Sequence, residues 1–140
     1  MTDGVLAELL APHMTKEDWD KVRRSVNGNH CELSTGHWCS EDLAAHLLVH
    51  LDIVARGLTA HQRAMTTHAL ALDAGGHRNY YVCENDFTTL GHREWTALVS
   101  AGLAERGRNI NENRDAVFRV SEPWGRVVAE RARELGADYG

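Results

Sequence analysis

The chain has 140 residues, 43% of them hydrophobic and 25% charged, which is ordinary for a globular protein of one domain. No apolar run approaches the roughly 20 residues that span a bilayer, and no export signal is visible, so we expect a cytoplasmic protein that contacts no membrane. The odd number of cysteines, three, argues against a disulfide framework, and the net charge of −5 disfavours a free nucleic-acid binder, which is usually basic.

The negative charge is confined to the first part of the chain. Residues 1–55 carry four basic and nine acidic side chains, whereas residues 56–140 carry eleven of each. We therefore divide the chain into an acidic helical extension, residues 1–57, and a second region, residues 58–140. We expect the two regions to form one compact unit.

The extension shows two helix starts. Thr15 and Asp18 have the spacing of a capping box and predict a helix that ends near Gly28. Residues 28–39 are expected to form a loop. Ser40 is a second N-cap, and it precedes acidic residues that the helix dipole favours in a first turn. The apolar stripe of this second helix consists of Leu43, Leu47, Leu51, Val54 and Leu58.

The second region alternates helices and strands. Thr59 and Gln62 form another capping-box pattern, which predicts a helix through about Leu72. A strand is predicted over Tyr80–Cys83, followed by a helix that contains Trp95 and stops at Gly102.

A β-ribbon and a last helix follow. The ribbon begins at Leu103, and its second strand is indicated by alternating Ala116, Phe118 and Val120. Ser121 then offers an N-cap and Pro123 a first-turn proline for the last helix. The predicted fold class is α+β, mostly α, with an acidic helical N-terminal region followed by a winged-helix-like core with a small antiparallel β-ribbon.

Several short motifs lie between residues 58 and 125. They are Leu58-Thr59 with Gln62-Arg63, His68-Ala69-Leu70, Arg78-Asn79-Tyr80-Tyr81, Leu98-Val99 with Gly102-Leu103, and Val120-Ser121-Glu122 with Gly125. Together they resemble a group of small accessory proteins encoded in bacteriophage and prophage genomes. Two departures are Pro123-Trp124, which replaces a shorter connection, and Ala71, where glycine is expected.

This resemblance implies a phage protein that works in the cytoplasm of a bacterial host. It supplies no catalytic residues to carry over to this chain. Some phage proteins of this size inhibit host defence, including CRISPR interference, so an anti-CRISPR-like activity is the function that the resemblance suggests. The first 55 residues carry no such resemblance.

Nitrogen and sulfur ligands of the kind that zinc prefers are frequent between residues 30 and 50. His46 and His50 share one helix face, and Cys31 and Cys39 lie shortly before them. The spacing matches no usual zinc finger or ribbon. We favour histidines at the edge of the core and expect no cofactor, with zinc as the alternative.

Signatures of catalysis are missing from the sequence. It contains no glycine-rich phosphate loop, no Gly-x-Ser-x-Gly elbow and no His-Glu-x-x-His motif. Paired carboxylates fall in first helical turns, where capping explains them. We therefore predict a protein that binds rather than an enzyme.

Protein binding is the first hypothesis. An acidic surface would dock on the basic surface of a host protein or a protein–nucleic acid complex, steered by complementary potentials. Trp38, in a polar loop, is the expected exposed anchor. The predicted partner-binding residues are Asp18, Asp20, Glu32, Trp38, Glu41, Asp42 and Asp52.

A dimeric DNA-binding regulator is the alternative. Arginine and asparagine bind phosphates and base edges, although interleaved acidic residues weaken the field here. The helix around Trp95, with His92 exposed, and the ribbon would contact DNA, and the helix over 127–135 would dimerise. The predicted nucleic-acid-binding residues are Arg93, Thr96, Arg106, Arg108, Asn111 and Arg114.

Overall fold

Several helices of this protein begin after a Thr or Ser whose side chain accepts a free backbone N–H of the first turn. A computed structural model describes residues 1–139, with side chains through residue 136. Its helices are α1 (Asp3–Leu10), α2 (Lys16–Ser25), α3 (Glu41–Arg56), α4 (Ala60–Ala69), α5 (Leu90–Ser100) and α6 (Trp124–Tyr139). Its strands are β1 (Cys31–Glu32), β2 (Trp38–Cys39), β3 (Tyr81–Glu84), β4 (Ala104–Arg106) and β5 (Asp115–Val120), and short 3-10 turns cover Ala11–His13 and Leu72–Ala74.

The predicted N-caps of α2, α3 and α4 are confirmed. Thr15 and Thr59 each close a capping box, with Asp18 and Gln62 respectively, and the Ser40 hydroxyl accepts from the amide of Leu43. Each cap bonds a donor that the helix itself leaves unpaired. The mostly α architecture with a small antiparallel ribbon is likewise confirmed.

Two helix boundaries differ from the prediction. Helix α4 ends at Ala69 rather than near Leu72, because Ala71 adopts a left-handed conformation with φ +52° that no helix continues. Helix α6 begins at Trp124, so Pro123 precedes the helix. Ser121 contributes to the start of α6 through its backbone carbonyl, which accepts from the amide of Arg126.

The ribbon belongs to a three-stranded antiparallel sheet. Strand β5 is central, with β3 and β4 on its two sides, and Tyr81 pairs with Phe118 while Ala104 pairs with Val120. The inward residues Ala116, Phe118 and Val120 are buried, as the period-two pattern predicted. Between β3 and β4 the chain forms one helix, α5, rather than the two successive helices of a helix-turn-helix.

The segment 28–39, predicted as a loop, contains a small hairpin. Strands β1 and β2 pair antiparallel, with Cys31 opposite Cys39 and Glu32 opposite Trp38. Leu33 and Cys39 are buried in the core and fasten the hairpin to the helices.

A stack of three aromatic rings joins the two regions of the chain. The indole of Trp124, at the start of α6, lies between Trp19 of α2 and His50 of α3. The ring centroids are 5.7 Å and 5.8 Å apart, and the planes are within 13° of parallel. Residues of both regions therefore contribute to one hydrophobic cluster.

The apolar face of α6 is used inside the chain. Val127, Val128, Ala132 and Leu135 are buried where α6 packs against α3 and α4. The helix over 127–135 therefore does not offer the dimerisation face that the sequence suggested.

Within residues 1–139, no single helix is long and apolar enough to cross a membrane. Two consecutive helical segments, Glu41–Arg56 and Ala60–Ala74, are long and apolar enough when they are counted together, by length and composition only. The chain bends by 104° at the break between them. Leu43, Leu47 and Leu51 of this pair are buried in the core.

We predict that Ala71→Gly stabilises the protein by about 1 kcal/mol, because glycine adopts a positive φ without the steric cost that a Cβ imposes. The backbone of Ala71 is already hydrogen-bonded within the local turn, because its carbonyl accepts from the amides of Ala74 and Gly76. Urea unfolding measures the change. Ala97→Gly, in the exposed middle of α5, is the control and should destabilise by about 1 kcal/mol. A loss of stability in Ala71→Gly would contradict the left-handed conformation.

Gly125→Ala should destabilise the fold by about 3 kcal/mol or prevent folding, because overpacking a core displaces its backbone. An added Cβ would lie 2.3 Å from the Leu103 carbonyl oxygen and 2.8 Å from Cγ1 of Val120. Gly91→Ala is the matched control, since its Cβ would meet only the Cβ of Cys83, at 3.8 Å. Thermal unfolding that leaves both variants equal would refute this packing.

Candidate partner-binding surface

An exposed tryptophan on the β1–β2 hairpin is the most prominent feature of the acidic region. Trp38 is 61% exposed, whereas Trp19, Trp95 and Trp124 are buried. Glu32 lies directly opposite Trp38 in the hairpin register, and the ring of His30 contacts the indole edge-on at 6.2 Å.

The hairpin is held to α2 by a buried carboxylate. Asp18 accepts from the amide of Ser34 at 2.9 Å, from the Ser34 hydroxyl, and from the amide of Thr15 at 3.0 Å. The ammonium of Lys21 donates to the Glu32 carbonyl at 3.0 Å. Side chains of α2 therefore support strand β1 and the turn that follows it.

Asp18 is not a partner-binding residue, contrary to the prediction, because it is only 1% exposed. Burial alone would raise the pKa of its carboxyl, but the hydrogen bonds from Ser34 and Thr15 outweigh burial and lower the pKa below the ordinary value. Asp18 is thus an ionised structural residue that links the helix cap to the hairpin.

Glu41 and Asp42 are exposed in the first turn of α3, which follows the hairpin after Ser40. We name Glu32, Trp38, Glu41 and Asp42 the Trp38 surface. It consists of one large apolar side chain and three carboxylates. Two of these carboxylates, those of Glu41 and Asp42, lie in the first turn of α3, at the positive end of its dipole.

The other two predicted acidic residues are engaged within the chain. Asp20 pairs with Arg23 at 3.3 Å on the surface of α2. Asp52 accepts two bonds from the guanidinium of Arg131, at 2.7 Å and 3.2 Å. Hydrogen bonds with Asp52 and then Glu134 raise the pKa of Arg131. Both carboxylates are therefore partly neutralised.

The four candidate zinc ligands, Cys31, Cys39, His46 and His50, make other contacts in the structure. Cys31 faces Cys39 across the hairpin, and Cys39 is buried, which raises the pKa of its thiol. His50 stacks on Trp124, and His46 lies beside Gly4 of α1. In the part of the chain that the structure describes, no group of three or more histidine, cysteine, aspartate or glutamate side chains is arranged to hold a metal ion.

The central arginine of the predicted DNA surface is bound internally. Arg106 donates to Asn85 at 2.9 Å and to Asn109 at 2.8 Å, lies 3.2 Å from Nε2 of His92, and covers the ring of Phe118. His92, expected to be exposed, is buried and meets Phe118 edge-on. Arg106 therefore fastens the ribbon to the start of α5.

The remaining predicted nucleic-acid residues are exposed on α5 and on the loop between β4 and β5. Arg93 and Thr96 lie on α5, and the Thr96 hydroxyl donates to the His92 carbonyl at 2.8 Å. Arg108 is exposed after β4. Asn111 and Arg114 lie in the loop between β4 and β5, where the Arg114 guanidinium donates to the Asn111 carbonyl at 3.1 Å.

A cleft of about 630 Å³ lies between Lys16, the segment 72–77 and α6. Two of its cations are engaged within the chain: Arg126 donates to the Gly76 carbonyl at 2.9 Å and pairs with Glu122, and Arg133 bonds Asp73. The side chains that line the cleft therefore hold neighbouring segments together, and the cleft presents both positive and negative charge.

Comparison of the chain with protein-family models, with curated proteins and with solved structures found no match.

The sequence did not indicate the roles of His30, whose ring contacts the Trp38 indole, or of Lys21, which donates to the Glu32 carbonyl. The hairpin itself had a signal, because Ser34-Thr35-Gly36 is a typical turn sequence flanked by the apolar Leu33 and Cys39. The contact of Lys21 with the hairpin had none, since it joins residues 11 apart in different elements.

Asp18→Asn should lower the free energy of unfolding by about 2 kcal/mol at neutral pH, because the amide cannot replace a charged acceptor of three hydrogen bonds. Since the folded pKa lies below the unfolded value, this contribution is full above pH 3.8 and is lost as the pH falls through the folded pKa. Urea unfolding at neutral and strongly acidic pH should show the gap between wild type and variant closing in acid. Asp20→Asn, an exposed control, should change stability by less than about 0.5 kcal/mol. A pH-independent gap would contradict an ionised Asp18.

Proposed function

We propose that this protein acts by binding a macromolecular partner through the Trp38 surface. The observation that carries the proposal is a tryptophan 61% exposed on a hairpin that buried residues hold in place. Exposed tryptophans held by a fixed backbone lose little conformational entropy on binding and rank among the residues that dominate interface energies.

The charge around Trp38 selects a basic partner. Glu32 pairs with Trp38 in the hairpin, Glu41 and Asp42 follow in the first turn of α3, and the Lys21 ammonium is directed to a backbone carbonyl. A rim of carboxylates accelerates encounter with a cationic surface and penalises docking on an acidic one. The partner class we infer is therefore a protein whose surface binds nucleic acid, or a complex containing one.

Occupation of such a surface would exclude its nucleic acid, which is the simplest route to inhibition without catalysis. The resemblance of residues 58–125 to phage accessory proteins supports a target in the host's defence machinery, as for an anti-CRISPR protein. The role we propose is thus non-enzymatic inhibition by protein binding.

The alternative is a DNA-binding regulator that uses α5 and the ribbon. The exposure of Arg93, Arg108 and Arg114 supports it. Against it, Arg106 is committed to Asn85, Asn109 and His92, and Arg119 is paired with Glu105 at 3.3 Å. We rank this function second.

The test is affinity capture from host lysate, followed by binding measurements with the captured protein. Trp38→Ala should weaken that binding at least 30-fold, about 2 kcal/mol, as for a central interface residue. Glu32→Lys with Glu41→Lys should slow association, most clearly at low salt. Phe87→Ala is the matched control, because Phe87 is an exposed aromatic residue outside the acidic region, and it should bind normally.

Results of the opposite kind would overturn the proposal. A partner bound equally well by wild type and Trp38→Ala excludes the Trp38 surface. Salt-sensitive binding to a specific DNA, lost in Arg93→Glu with Arg108→Glu and retained in Trp38→Ala, would instead establish the regulator.

A further inference from the structure

The outward face of α3 carries two large aliphatic side chains that no part of the described chain covers. Val49 is 57% exposed and Ile53 is 64% exposed, one helical turn apart. Helix α1 packs along one side of α3, with Gly4 beside His46, and Arg131 of α6 bonds Asp52 along the other. The face lies open between these two neighbours.

Seven residues of α3 project within about 60° of Val49 on either side, given 3.6 residues per turn. All seven are exposed or half-exposed. They are Asp42, Ala45, His46, Val49, Asp52, Ile53 and Arg56.

The pattern of these residues along α3 is complementary to the same pattern on a second α3 that runs in the opposite direction. When a second α3 lies antiparallel with Val49 at the centre, Asp42 faces Arg56 of the other copy and His46 faces Asp52. Asp42 thus faces an arginine of opposite charge, whereas the Asp52 that His46 faces is already paired with Arg131 of its own chain. Two carboxylates never meet, so the arrangement has no like-charge penalty.

Side-chain size follows the same symmetry. Ala45 faces Ile53 of the other copy, so a small residue receives a large one, and Val49 meets Val49 at the axis. Such alternation lets side chains of two helices interlock. An isologous interface requires this kind of self-complementarity, whereas docking on an unrelated protein does not.

We propose that α3 mediates a two-fold symmetric, antiparallel association of two copies of this chain, centred on Val49. The exposed Val5 and Leu9 of α1, which packs against α3, extend the apolar area beside it. The opposite charges of Asp42 and Arg56 set the register. This proposal does not depend on the proposed function, because it concerns the protein without its partner.

Sedimentation over a range of concentrations tests the association. We expect wild type to dimerise and Val49→Glu or Ile53→Glu to raise the dissociation constant at least 30-fold. Phe87→Glu is the matched control, an exposed apolar residue outside α3, and it should dimerise normally. Wild type that stays monomeric at the highest concentrations, or dimers disrupted only by Phe87→Glu, would overturn the proposal.

Charge exchange tests the register. Asp42→Arg alone and Arg56→Asp alone should each weaken the dimer about tenfold, and the double variant should restore it to within about threefold of wild type. Arg56 also interacts within its own chain, and the double variant shows whether that contact accounts for the loss. A double variant weaker than both single variants would refute the antiparallel register.

A cysteine on the axis gives a third, covalent readout. In a background with Cys31→Ser and Cys83→Ser, Val49→Cys should form a disulfide-linked dimer when oxidised glutathione is added. Phe87→Cys in the same background should not. Trp38→Ala should dimerise like wild type, which separates a failure of this proposal from a failure of partner binding.

Discussion

The stacking of Trp124 between Trp19 and His50 is the interaction on which the arrangement of the whole chain depends. The two faces of one indole are covered by rings from α2 and α3, so the start of α6 is fixed against the N-terminal region. The buried indole N–H of Trp19 has no hydrogen-bond partner among the described side chains and backbone, a cost of about 1–3 kcal/mol that ring contact and burial must offset. Packing, rather than hydrogen bonding, therefore holds this junction. Gly125 completes it, because only a residue without a Cβ fits against the Leu103 carbonyl.

This junction also explains how the chain keeps one tryptophan exposed. Trp19, Trp95 and Trp124 fill the interior, and α2, once held by Trp19, presents Asp18 to the hairpin. The hairpin is too short to be stable alone, since two-stranded ribbons are marginal in water. Its position comes from buried Leu33 and Cys39 and from the Asp18 bonds, so Trp38 is displayed by a fixed support and not by a loose loop.

The features that the sequence predicted correctly are those whose physical cause is local. Capping boxes join residues three apart, and the alternation in β5 reflects a repeat of two, so Thr15, Thr59 and Phe118 were recognisable without tertiary information. Asp18 shows the limit. Its capping role was predicted, but its burial follows from Ser34, 16 residues away. Likewise, the pairing of Asp52 with Arg131 joins residues 79 apart, and no periodicity encodes it.

Helix α3 contributes to both proposed surfaces, so the geometry of each surface limits that of the other. Its first turn contributes Glu41 and Asp42 to the Trp38 surface, while its middle carries the self-complementary face. In an antiparallel pair, Asp42 turns toward Arg56 of the second copy, so Glu32 and Glu41 carry most of the charge offered to a partner. The two Trp38 surfaces then lie at opposite ends of paired helices, separated by about the 24 Å length of a 16-residue helix. A partner with two basic sites at that spacing would bind both at once, and its second contact would form at a high effective concentration.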